Sequence, residues 1–194
     1  MGGRVSGRRL WLVRHPRTLV PTGVCYGASD VPLDPRHLAD VLPTLAAQLP
    51  PAARWRVSPL ARARGLADAL QQRMGLPHAP SVDPRLAEMH FGRWEMQAWE
   101  AIGPADLQAW TDDFVHYRCG GLGESVHQFL HRVSGVWNQC HEQGEGDEVW
   151  ITHAGVIRAI QLLQRLPPPA WAGLQAADWP RETLPFGALR VWTI

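Results

Sequence analysis

Short apolar runs separated by longer stretches of helical period constrain this chain more than any other feature. Strand-length runs lie at 10–14, 55–58, 148–152 and 188–193, too far apart for hairpins to join them. Between them the apolar spacing is helical. That alternation predicts an α/β fold: a three-layer α/β/α domain on a mainly parallel sheet. Helices are predicted at 35–48, where Pro43 can kink the chain, and at 60–74, ended by Gly75 and Pro77. A third is predicted at 126–141, with Ser125 as N-cap and Gln128 completing a capping box. A fourth at 156–166 is stopped by the three prolines at 167–169. The stretch 84–123 is less regular and carries Trp94, Trp99 and Trp110, so it is placed outside the sheet as a helical lid or excursion. The 194 residues fit a single domain over 1–194, with no internal repeat.

Composition then removes whole classes of chemistry. A net charge of +1 gives no bulk field to draw nucleic acid or a membrane surface. All 19 basic residues are arginine, which excludes a Walker phosphate loop, Schiff-base chemistry and a lysine base. Cys25, Cys119 and Cys140 are odd in number and widely spaced, so a disulfide framework or cysteine zinc site is not expected, and the cytoplasm is. Residues 1–6 match a myristoylation pattern and Arg8-Arg9 resembles a twin-arginine signal. The apolar run that follows is too short for a signal-peptide core, and no window approaches the ~18 residues of a membrane span.

Ligands of open α/β sheets bind beyond the carboxyl ends of the strands. Three polar clusters fall there: Arg14-His15, Ser58 to Arg62, and Thr152 to Gly155. "LAEMHFGRWE" at 86–95 adds Glu88. Arginine forks match the acceptor oxygens of a phosphate monoester. Each contributes about 4 kcal/mol at ~4 Å and an effective dielectric of ~20. Charge alone falls short, because uncatalysed monoester hydrolysis can demand accelerations near ~10²¹. A histidine nucleophile divides the reaction in two, and a general acid, with Glu88 the natural candidate, protonates the leaving alkoxide.

"LVRHPRT", "SPLARAR", "LAEMHFGRWE", "GESV" and "WITHAGVIRA" occur in order, and together they resemble the histidine phosphatase superfamily, with its phosphoglycerate mutase-like fold, over roughly 10–160. The resemblance implies that His15 is the phosphorylated nucleophile, that Arg14 and Arg62 clamp the phosphate, and that His153 stabilises the transferring group. It further implies Glu88 as proton donor, a hydroxyl contact from Thr18, a small-molecule phosphate ester as substrate, and no metal or other cofactor. "GVCYGASDVPL", "EMHFGRWE" and "GESVHQFLHRV" resemble the α-ribazole phosphatase branch, which acts in cobalamin assembly. Mutases of this family carry a basic insertion, whereas 96–117 here hold no arginine and include Asp112 and Asp113.

One position departs from the pattern. Pro16 stands where the family has glycine after the nucleophile, and proline removes a backbone N–H and fixes φ near −65°. Three readings follow: a phosphomonoesterase, a phosphoglycerate mutase-like transferase, and a weakly active or inactive phosphate-binding or regulatory protein. His127 and His131, four apart on a helix, are read as a solvated face, since no third metal ligand is suggested. The three tryptophans fit either a core or a platform for a substrate base. Oligomeric state is not legible.

Overall fold

The computed structural model describes residues 7–142, 145–166 and 170–194. The pattern at 1–6 and the proline stop at 167–169 lie outside the described residues. Strands β1 (Arg9–Arg14), β2 (Arg54–Val57), β3 (Ser81–Val82), β4 (Glu148–Thr152) and β5 (Leu189–Thr193) form one sheet in the order β3-β2-β4-β1-β5. The first four are parallel, and β5 runs antiparallel to β1.

Alternation along each strand divides the core in two, because successive side chains point to opposite faces. Leu10, Leu12 and Trp150 pack with Phe129, Leu130 and Val133 of α4 (Val126–Glu142) and Ile157 and Ile160 of α5 (Ala154–Leu163). Val13, Val149 and Ile151 pack on the other side with Leu45 of α1 (Pro35–Gln48) and Leu66 and Leu70 of α2 (Ala61–Met74). Full burial of each such side chain contributes about 1.5–3 kcal/mol. The three-layer α/β/α arrangement is therefore the one the alternation predicts.

Local signals act as expected in several places. The Ser125 hydroxyl accepts from the Gln128 N–H (3.2 Å) while the Ser125 N–H donates to the Gln128 side-chain oxygen (3.0 Å), the predicted capping box. Gly75 ends α2 with a left-handed φ of 62°. Pro43 is accommodated inside α1, which continues past it to Gln48. Asp34 starts that helix, its carboxylate accepting from the N–H groups of Arg36 and His37.

Elsewhere the structure differs. The two-residue β3 has no counterpart among the predicted strands, because it is too short for a period of two to register. β2 sits one residue earlier than 55–58, and β5 lacks Ala188. α5 begins at Ala154, two residues before the predicted start, so the helix follows directly after His153. Within 84–123, short 3₁₀ turns and α3 (Pro104–Asp112) pack Leu107 and Trp110 against the α4/α5 core.

Candidate active site

Strand register builds the site. Arg14 pairs with Thr152 and Val57 with Ile151. One residue further, the His15 N–H donates to the Thr152 carbonyl and the Ser58 N–H to the Ile151 carbonyl, both at 3.0 Å. Neighbouring strands thus end in a row and release His15, Ser58 and His153 at one rim. The rings of His15 and His153 lie 5.0 Å apart, centroid to centroid, tilted by 58°. Both are buried.

His15 Nδ1 is 2.6 Å from the Pro16 carbonyl. A carbonyl only accepts, so Nδ1 carries the proton and Nε2 keeps its lone pair. Proline lacks an N–H but retains this oxygen, and the oxygen is what fixes the tautomer. Burial, and then the Arg62 charge, push the His15 value well below the ordinary imidazole range, which the Pro16 contact only partly opposes. Burial, then Arg62, then His15 do the same to His153. Both environments favour the neutral ring. His153 Nε2 meets the Ser58 hydroxyl at 2.6 Å, while its buried Nδ1 has no hydrogen-bond partner among the described residues.

Among the described residues, neither Arg14 nor Arg62 has a carboxylate partner. Arg14 donates to the Leu184 carbonyl (2.7 Å) and stacks 3.6 Å over the Phe186 ring. Arg62 is fully buried and donates to the carbonyls of Ser29 (2.8 Å) and Gly27 (2.5 Å). A guanidinium has five N–H donors, and the Nε of each of these arginines is buried with no hydrogen-bond partner among the described residues. Burial draws both guanidinium values down, and Glu88 is the first charge that raises them back.

Glu88 lies at the start of α5. Its Oε2 accepts from the Gly155 N–H (2.9 Å) and its Oε1 from the Met89 N–H (3.0 Å). A Cβ on Gly155 would overlap this carboxylate, which explains the glycine of "THAGV". Below, Arg132 donates to the carbonyls of Ala87 (2.7 Å) and Glu88 (2.9 Å) while paired with Glu124 at 2.6 Å, pinning the segment from α4.

Arg14, His15, Arg62 and Glu88 line one cavity of about 360 Å³, with Arg158 also on its wall. The rest is largely apolar and aromatic: Phe91, Trp99, Trp110, Phe114, Phe129 and Trp179. Trp99 and Trp110 therefore both pack on the core and face the cavity, whereas Trp94 is buried in the core. Thr18 is not brought into this cavity. It bridges to Leu33, which draws the chain after Pro16 away, and it lies in a neighbouring groove with Arg17 and Thr22 that shares Tyr26 with the main cavity. His127 stacks with His131 and lies tilted beside His116, and among the described residues no three His, Cys, Asp or Glu gather as a metal site.

Sequence reasoning assigns no role to Ser58, Gly155, Arg158 or Phe186. Ser58 and Gly155 sit inside the quoted motifs, and their place at strand ends is the signal that points to them. Phe186 carries no local signal, since it reaches Arg14 from the far end of the chain.

The fold and much of the sequence are shared with known proteins. The chain is 30% identical over 169 residues, 84% of its length and 81% of the relative's, to adenosylcobalamin/α-ribazole phosphatase of Salmonella typhimurium. A phosphoglycerate mutase from Thermus thermophilus superposes with a TM-score of 0.67 at 30% identity, covering 94% of this chain and 91% of its own. A mycobacterial glucosyl-3-phosphoglycerate phosphatase, solved as a complex with VO3, gives 0.72 at 25% identity over 95% and 92%. The family model for the histidine phosphatase superfamily, branch 1, matches residues 10–178, and with the two histidines, two arginines and Glu88 gathered at one rim, the chain belongs to that superfamily.

Proposed function

We propose that this protein is a metal-independent phosphomonoesterase that works through a phosphohistidine at His15. One observation carries the reading: the Nδ1 of His15 is tied to the Pro16 carbonyl beside a second neutral histidine, in a cavity walled by Arg14, Arg62 and Glu88. The His15 Nε2 lone pair forms a bond to phosphorus as the bond to the ester oxygen breaks. Glu88 gives its proton to that oxygen. The Glu88 carboxylate then takes a proton from water, whose oxygen displaces the Nε2 and releases inorganic phosphate. Arg14 and Arg62 hold the phosphoryl oxygens throughout, and His153, protonated as phosphate binds, gives them a further donor.

Two features support a leaving group that carries an aromatic base, and α-ribazole 5'-phosphate in particular: the aromatic cavity wall and the activity named for the Salmonella relative. The three unpaired cysteines, with thiols pushed up to about 12 by burial, fit a cytoplasmic setting. Pro16 keeps the one group His15 needs, which favours turnover over an inert binding role. Turnover of p-nitrophenyl phosphate in chelator, abolished in His15→Ala, is the expected result. Equal rates in the two proteins would leave the binding role standing. In a panel of phosphorylated metabolites, α-ribazole 5'-phosphate is expected to give the highest kcat/KM, and greater exchange between phosphoglycerates than phosphate release would favour the mutase.

A further inference from the structure

The structure assigns Glu95 a positioning role: its carboxylate fixes the turn 27–29 that holds Arg62 in the phosphate clamp. The inference rests on the phosphatase reading above, in which Arg62 binds phosphate.

Glu95 does not line the cavity. Its Oε2 accepts from the Gly27 N–H (2.9 Å), the Ser29 N–H (3.1 Å) and the Ser29 hydroxyl (2.6 Å). Its Oε1 accepts from the N–H groups of Ala28 (3.0 Å) and Phe91 (2.8 Å). Successive N–H groups converging on an anion form a backbone nest, here filled by the protein's own carboxylate. Burial acts to raise the Glu95 value, but these hydrogen bonds, Phe91 foremost, outweigh it and hold the carboxyl below its usual range.

The carbonyls of the same turn face Arg62. The peptide joining Gly27 to Ala28 donates its N–H to Glu95 and accepts from Arg62 through its oxygen. Such a chain polarises cooperatively. It supplies counter-charge to a fully buried guanidinium from one peptide away, where a direct ion pair would occupy the donors that phosphate needs. Arg62 makes no ion pair within 4 Å among the described residues, as this arrangement requires.

Backbone strain marks the same place independently. Met96, next to Glu95, is the one non-glycine residue at positive φ (63°) among the described residues. A left-handed backbone is disfavoured for an L-residue, and such strain persists where the surroundings over-determine it. The Met96 N–H donates to the Cys25 carbonyl (2.6 Å) and the Gln97 carbonyl accepts from the Cys25 N–H (2.7 Å), so the segment carrying Glu95 is zipped to the one leading into the turn. Gly27 completes the fit, since a Cβ there would overlap the Met89 carbonyl oxygen.

The test is a pair of double-mutant cycles on the full chain, read by calorimetric titration with inorganic phosphate and by kcat/KM on p-nitrophenyl phosphate. Glu95→Gln should weaken phosphate binding about tenfold, and equally so in an Arg14→Ala background, but less than about twofold in Arg62→Ala. Ser29→Ala, which removes a single hydrogen bond and leaves the fold intact, should show the same dependence on Arg62 at about two- to threefold. Unchanged phosphate affinity, or equal losses in both backgrounds, would overturn the role of Glu95 while leaving the phosphatase reading intact. A wild type that neither binds phosphate nor hydrolyses the ester would bring down both.

Discussion

Two buried arginines six residues apart live under opposite electrostatic rules. Arg56, on β2, meets Glu148 at 3.2 Å and Asp83 at 3.3 Å, and those carboxylates are further bonded by Trp150 Nε1 (2.7 Å) and Arg85 (2.7 Å). Arg62, at the start of α2, has among the described residues only carbonyl partners, and its Nε has none. Burying a charge is costly unless it is paired. The first cluster is compensated by its two carboxylates. The second is under-compensated, and the missing charge matches the dianion it is proposed to bind.

The largest effects should separate the two sites by what they damage. Arg62→Ala should lower kcat/KM on p-nitrophenyl phosphate by about 10³-fold or more, with little loss of stability in urea unfolding. Glu148→Ala should do the reverse, destabilising by about 2–4 kcal/mol by leaving Arg56 with Asp83 alone and the buried Trp150 N–H without its acceptor, with the rate per folded molecule retained. Loss of activity from both to the same extent would erase the distinction.

Next in size is Gly155→Ala. The added Cβ collides with Glu88, so kcat on alkyl phosphates should fall by roughly 10²-fold, while p-nitrophenyl phosphate, which hardly needs a proton, is spared. Equal losses on both substrates would remove Glu88 from the proton-donor role.

Acid should then find the two sites in different windows. His15 and His153 have folded values below the ordinary 6.5, so the unfolded chain binds more protons as pH falls from there, and stability declines until the lower folded values are passed. Inorganic phosphate should lessen that decline by favouring protonated His153. Asp83 is raised by burial but held below its usual range by Arg85 and Arg56, so its contribution is present above about 3.9 and is lost only at lower pH. Melting temperatures across pH, with and without phosphate, measure both. A single loss confined below about pH 4 would contradict the neutral histidine pair.

The smallest effect is at Met96, which is 54% exposed. Met96→Gly should raise stability by up to about 1 kcal/mol by relieving the left-handed backbone. Destabilisation would show that the strain is illusory.

Much of this is legible in the chain itself. Apolar runs ending in Arg14-His15, in Ser58 and in Thr152-His153 locate the rim, because strands align by register and side chains beyond their ends must meet. What escapes depends on partners far along the chain. Glu95 stands inside a quoted motif, yet its partners in the turn lie 66 to 68 residues away. Thr18 matches a pattern by position, but a bridge to Leu33 governs where it lies. The two residues of β3 pair only because β2 offers them an edge. Local chemistry is readable; closure of the chain on itself is not.

The central claim is that His15 accepts the phosphoryl group. Rapid acid-free quenching of the protein with labelled phosphate ester, followed by mapping of the labelled peptide, tests it most directly. An acid-labile, base-stable phosphate on the peptide containing His15, absent from His15→Ala and accumulating in a variant impaired in Glu88, is the predicted result. Phosphate release with no label on that peptide, or label on a different residue, would contradict it.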